Sequence, residues 1–110
     1  MTNIKIERKN DDIVGMTCSN HTGFAESGKD IVCAGVSSIT QTAILGIQKL
    51  TKLKTNVVID EKKGFLKLKL DIENNTQDFH DAQVILKTML CGLEDLRKQY
   101  PKYIKLEDTK

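Results

Sequence analysis

The chain has only three cysteines, Cys18, Cys33 and Cys91. An odd count does not close into a disulfide framework, and in a reducing compartment each cysteine reads as buried apolar filler or as a reactive thiol. No stretch approaches the ~20 apolar residues of a membrane span. The opening MTNIKIERK has no apolar signal core, so a cytoplasmic protein is expected. Charge of one sign is scarce too: 17 Lys and Arg against 15 Asp and Glu leave +2, too little to announce a nucleic-acid binder. There is no internal repeat and no low-complexity segment, and the single proline is Pro101. At 110 residues, the chain is expected to form one domain, residues 1–110, that buries a core without disulfides or metal.

The apolar pattern orders the elements. Ile4 and Ile6 alternate with Lys5 and Glu7, a strand period, and Asn10-Asp11-Asp12 turns the chain into a second strand, Ile13 to Cys18. Residues 19–29 have no apolar period and contain Gly23 and Gly28; a connection of that length is often a lid or a binding loop. Val32, Val36, Ile39, Ala43, Ile47 and Leu50 then fall at helical spacing, which predicts a helix from Asp30 to about Leu53. Val57 to Asp60 and Phe65 to Ile72 read as a hairpin turned by Glu61-Lys62-Lys63-Gly64. Val57 and Ile59, then Leu66, Leu68 and Leu70, alternate with polar residues, which predicts one buried face, and Asn74-Asn75-Thr76 breaks the pattern. A second helix is expected from about Thr76 or Asp78 to Gln99, with the stripe Phe79, Ala82, Leu86, Met89, Leu93, Leu96 and Tyr100, stopped by Pro101. Tyr103 to Leu106 reads as a last strand, and Glu107 to Lys110 as a frayed tail. The order ββαββαβ predicts an α+β fold, a mostly antiparallel sheet packed against two helices.

The chemistry concentrates at the junction of the loop and the first helix. His21 ends a strand, and Cys33 falls in the first turn of the helix that Asp30 opens. A thiol becomes a nucleophile near neutral pH when a base stands beside it and the surroundings favour thiolate. A helix N-terminus supplies the surroundings, and His21 supplies the base if the loop folds back. Unbonded first-turn N–H groups are expected donors to an oxyanion. Asp30 either caps the helix or orients His21, and capping is the favoured reading. Ser37, one turn beyond Cys33, either supports the site or bonds the i−4 carbonyl as mid-helix serines do. Phe24 either covers a substrate side chain or anchors the loop. Cys18 and Cys91 read as buried filler, and His80 as a surface or capping residue. Cys18-x-x-His21 has ligand-like spacing, with Cys33 as a third candidate, but there is no second pair of the kind structural zinc uses, so no metal or other cofactor is expected. Lys49, Lys52 and Lys54, then Lys62, Lys63, Lys67 and Lys69, read either as solvated surface or as a patch that attracts nucleic-acid partners. A non-enzymatic interaction module that uses the lysine-rich hairpin is the alternative to an enzyme; it needs no reactive Cys33.

The stretch His21 to Gln41, HTGFAESGKDIVCAGVSSITQ, resembles the signature of the bacterial ribosomal-processing cysteine protease (Prp) family: a Gly-His, a glycine-containing loop, then G-x-D-x-V-C-A-x-V-S. Gly28, Asp30, Val32, Cys33, Ala34, Val36 and Ser37 are in register, and length and element order match over nearly the whole chain. Asn20 stands where the family usually has glycine. Asn is among the few residues that tolerate positive φ, so the turn is expected to survive. The resemblance implies that His21 is the catalytic histidine and Cys33 the nucleophile, with Asp30 and Ser37 in support and Gly23, Phe24 and Gly28 in a substrate loop. It also implies an endopeptidase that removes a short N-terminal extension from a large-subunit ribosomal protein precursor, cleaves after aromatic residues, and works as a homodimer with possible ribosome association; the non-enzymatic alternative is then a ribosome-associated interaction module.

Overall fold

The structure is a computed structural model that describes residues 1–26, 29–71 and 76–109. The elements follow in the expected order: β1 (Thr2–Lys9), β2 (Asp12–Ser19), α1 (Ile31–Leu50), β3 (Thr55–Asp60), β4 (Phe65–Leu70), α2 (Gln77–Gln99) and β5 (Ile104–Asp108). The five strands form one sheet in the order β3-β4-β2-β1-β5. All neighbours are antiparallel except β1 and β5, which are parallel. Inward residues of the strands, among them Ile4, Ile6, Met16, Leu66, Leu68 and Ile104, join the apolar stripes of both helices in one buried cluster. The alternation along β1 and β4 exposes the lysines between them and so leaves a polar outer sheet face. A bulge at Glu7/Arg8 disturbs the β1–β2 ladder, and the buried side chain of Gln83 bonds both the N–H and the carbonyl of Ile13 there, at 2.7 and 2.8 Å.

Several boundaries and faces differ from the sequence reading. Helix α1 ends at Leu50, because the N–H of Thr51 returns to the Ile47 carbonyl and closes the last turn; Lys49 is in that turn, and Lys52 and Lys54 lie beyond it. Leu50 is 78% exposed rather than on the core stripe, which runs through Val32, Val36, Thr40, Ala43, Ile44 and Ile47. Thr40 is admitted to that stripe because its hydroxyl donates to the Val36 carbonyl. Ile59 does not alternate into the core: β3 is an edge strand, and Ile59 is 47% exposed. Glu107 and Asp108 are not frayed, since both pair with β1 and Arg8 holds the Asp108 carboxylate by two bonds at 2.7 and 2.9 Å. The expected end of β4 at Ile72 and the break at Asn74 and Asn75 lie outside the described residues. One further expectation changes: α1 is, by length and composition, long and apolar enough to cross a membrane, with mean hydropathy 1.4. It bears no charge from Ile31 to Gln48, yet its apolar stripe is buried against the sheet and α2.

Candidate active site

The site forms where β2 ends and α1 begins. Asn20 follows β2 with φ 70°, so the departure from glycine is accommodated in the left-handed region. The Thr2 hydroxyl donates to the Asn20 carbonyl at 2.9 Å and ties this corner to β1. At the start of α1, Asp30 is the N-cap: its Oδ1 accepts the Cys33 N–H at 2.9 Å. Its Oδ2 accepts the Thr22 hydroxyl at 2.6 Å and the N–H groups of Phe24 and Ala25 at 3.1 and 3.4 Å. One carboxylate thus organises both the helix end and the loop before it. Partial burial works to raise the Asp30 pKa, but the bonds from Thr22, Cys33, Ala25 and Phe24 outweigh it and hold the group below its ordinary value. No bond joins Asp30 to His21, so of the two sequence readings the structure has capping.

The loop folds back as the chemistry requires. His21 Nδ1 stands 3.7 Å from Cys33 Sγ. The other ring nitrogen, Nε2, is 3.1 Å from the main-chain carbonyl of Lys62 in the β3–β4 turn. A carbonyl only accepts, so that contact places a proton on Nε2 and, in the neutral ring, leaves the Nδ1 lone pair facing the thiol. No side-chain pattern marks Lys62 for this role, because its contribution is a backbone atom 41 residues away. The first-turn donors are reduced from what was expected: the N–H of Cys33 is taken by Asp30 Oδ1 and that of Ala34 by the Asp30 carbonyl. The N–H groups of Ile31 and Val32 remain at the helix mouth.

Ser37 does not bond the i−4 carbonyl; its Oγ accepts from Gln41 Nε2 at 2.7 Å. Gln41 is a site residue that the sequence reading passed over, although its i+4 spacing from Ser37 was available as a signal. Cys33, Ser37 and Gln41 line a cavity of about 170 Å³ with His21, and its apolar walls are Val36, Ile59, Phe65 and Leu66. A second hollow of about 440 Å³ also borders Cys33, among His21, Gly23, Ala25, Asp30 and Ala34. Cys33 therefore borders two hollows, an arrangement that leaves room for chain beside a bond placed over the sulfur.

The remaining candidates separate. Phe24 packs edge-on against Tyr100 and Tyr103, with centroids 5.6 and 5.2 Å apart, which is the anchoring reading. Gly23 has φ +76°, a conformation that favours glycine; Gly28 lies outside the described residues. Cys18 is buried as expected, and burial pushes its thiol up to about 12. Cys91 is exposed on α2, contrary to expectation, because its position falls on the outer side of that helix. His80 is at the surface, 3.5 Å from Asp81. Among the described residues no three His, Cys, Asp or Glu side chains gather as metal ligands.

Comparison with known proteins bears on the family. Residues 1–105 match the family model described as Cysteine protease Prp. The chain is 30% identical to the ribosomal processing cysteine protease Prp of Staphylococcus aureus over 94 residues, which cover 86% of this chain and 85% of that one. It is 34% identical to the protein of the same name from Mycoplasma pneumoniae over 98 residues, 86% and 87% of the two chains. The crystal structure of S. aureus Prp with a covalently linked product peptide superposes with a TM-score of 0.87, at 26% identity, over 99% of this chain and all of that one. A cysteine in the first turn of α1, a histidine brought to it from the preceding loop and a family match over nearly the full length lead to one conclusion: this chain belongs to the Prp family of cysteine proteases.

Proposed function

We propose that the protein removes a short N-terminal extension from a large-subunit ribosomal protein precursor, cutting after an aromatic residue with Cys33 as nucleophile and His21 as its proton partner. The observation that carries the proposal is the 3.7 Å approach of His21 Nδ1 to a thiol in the first turn of a helix. The Cys33 proton passes to Nδ1, and the thiolate attacks the carbonyl carbon of the scissile bond. The helix mouth stabilises the oxyanion. When the C–N bond breaks, the imidazolium returns the proton to the leaving amine and a thioester remains on Cys33. Water, losing a proton to Nδ1, attacks the thioester and frees the acid and the thiol. Asp30 supports the site by holding the loop and the helix end, and Ser37 by its place in the cavity wall.

The apolar walls of the cavity beside Cys33 favour a large apolar side chain, which is the support for an aromatic residue before the cut. The relatives' name, ribosomal processing protease, supports the choice of substrate. We extend the proposal to a cytoplasmic homodimer that associates with the ribosome. The uncharged outer face of α1, with Ile31 and Leu45 exposed, supports the dimer, and the lysines of β4 and its turn support an electrostatic attraction to ribosomal components. The test is to incubate the protein with the precursor and follow the product by mass. The wild type should release the extension, with or without EDTA, and Cys33→Ala should keep the helical signal while yielding no product. A Cys33→Ala protein that still cuts, or a wild type that binds precursor without cutting it, would overturn the assignment.

A further inference from the structure

We infer that the β3–β4 turn, Glu61 to Gly64, is a positioning element for the reaction: the Lys62 carbonyl holds the His21 ring through Nε2, and Gly64 is the residue that lets the turn come close enough to do so. The inference rests on the proposed His21–Cys33 pair. His21 is exposed, so packing does not fix its ring. Among the described residues its side chain has two polar contacts, Cys33 Sγ at 3.7 Å and the Lys62 carbonyl at 3.1 Å. Without the second, the ring is free to turn about χ2 and the neutral imidazole to exchange tautomers.

The turn reaches His21 by backbone approach. A Cβ on Gly64 would stand 2.9 Å from the Asn20 carbonyl carbon and 3.0 Å from the His21 nitrogen, closer than side chains tolerate. Gly64 also has φ +59°, in the left-handed region. The obstructing atoms are backbone, and they are held from the other side by the Thr2 hydroxyl on the Asn20 carbonyl. A side chain at position 64 must therefore displace the turn. The turn's own shape comes from Gly64 N–H on the Glu61 carbonyl at 3.2 Å and Lys63 N–H on Asp60 Oδ1 at 3.3 Å.

Two variants test this with readouts that a purely structural role would not move. Gly64→Ala should lower kcat by about 10- to 100-fold, part of the roughly 10²–10⁴-fold that a positioned acid–base contributes, with KM within about twofold. Its His21 ¹⁵N shifts should change from the Nε2-protonated form to a tautomer mixture. The second variant replaces Lys63 by its α-hydroxy analogue through chemical ligation, which turns the Lys62 carbonyl into an ester, a weaker acceptor, with every side chain kept. It should show the same tautomer change and a smaller loss of kcat. Because it also removes the Lys63 N–H, it is compared with Asp60→Ala, which loses that bond and keeps the Lys62 amide; the tautomer change should be larger in the ester protein than in Asp60→Ala. A folded ester protein with wild-type kcat and His21 shifts overturns the inference, whatever Gly64→Ala does. The ¹⁵N readout needs no turnover, so it stands apart from the proposed function, which fails separately if His21→Ala cuts normally.

Discussion

Two segments flank the thiol, and they are held in opposite ways. The loop from His21 to Asp30 is braced by side chains: four donors converge on the Asp30 carboxylate, and Phe24 leans on Tyr100 and Tyr103. The β3–β4 turn is braced by backbone, with Gly64 against the backbone of Asn20 and His21. A side-chain brace is released one rotamer at a time and competes with water. A backbone contact inside a hairpin yields only if the hairpin moves. One wall of the site is therefore built to adapt and the other to stay. That division suits a protease that must admit a chain and still hold its histidine in one orientation.

Removing the Asp30 carboxylate is the strongest way to break this contrast. Asp30→Ala strips the cap from α1 and leaves the Thr22 hydroxyl, nearly fully buried, without its acceptor. A lost cap costs about 0.5–2 kcal/mol, and an orphaned buried hydroxyl about 1–3 kcal/mol. Urea titration should therefore show a loss of about 2–4 kcal/mol, with cleavage strongly reduced because the first turn frays under Cys33. Asp30→Asn keeps an acceptor and should lose about half as much. Equal stability of Asp30→Ala and wild type would mean that the loop is held by something other than this hub.

The same carboxylate makes the bracing of the loop depend on pH. Its folded pKa lies below the ordinary value. A group lowered in the folded state binds protons less readily there than in the unfolded chain, so its contribution is complete above the ordinary carboxylate range. It fades as the pH falls through the folded value. The stability gap between wild type and Asp30→Asn should be constant from neutral pH down to about pH 5 and close below that range. Urea midpoints for both proteins across acid pH would show it. A gap that persists in acid would assign the cap's contribution to geometry alone.

The sequence exposed the loop side of the site and concealed the turn side, for one physical reason. Asp30 before an apolar helix, Cys33 three residues on and Asn20 where a left-handed turn is needed are local relations, fixed by helix geometry and by φ. His21 reaching Cys33 was legible because both border one loop. Lys62 contributes a carbonyl, which every residue has, and Gly64 contributes the absence of a Cβ; neither has a side-chain signature that says what it faces. The strand order was likewise out of reach locally. The parallel pairing of β1 with β5, which keeps Glu107 and Asp108 in the sheet, depends on Arg8 meeting Asp108 a hundred residues away. Edge status misled in the other direction: Ile59 alternates correctly in sequence, but β3 has a neighbour on one side only, and nothing in the pattern marks that.

The smallest effect sharpens the contrast most directly. Phe24 is 39% exposed, so its rings-on-edge contact with Tyr100 and Tyr103 contributes about 1 kcal/mol. Phe24→Ala should lower global stability by no more than that, while the loop loses its outer anchor. Asp30 Oδ2 would then hold the Phe24 and Ala25 amides, the latter over 3.4 Å, with only a long 3.5 Å bond from the Phe24 N–H to the Thr22 hydroxyl beside it. Their hydrogen exchange should quicken several-fold in the variant, and the Gly64 amide, inside the turn, should be unaffected. A bound substrate peptide should slow exchange at residues 22–26 in both proteins and leave residues 61–64 unchanged, because only the side-chain-braced wall has order to gain. Strong, equal protection of the loop with and without peptide would make both walls rigid, and selectivity would then rest on the preformed apolar cavity beside Cys33.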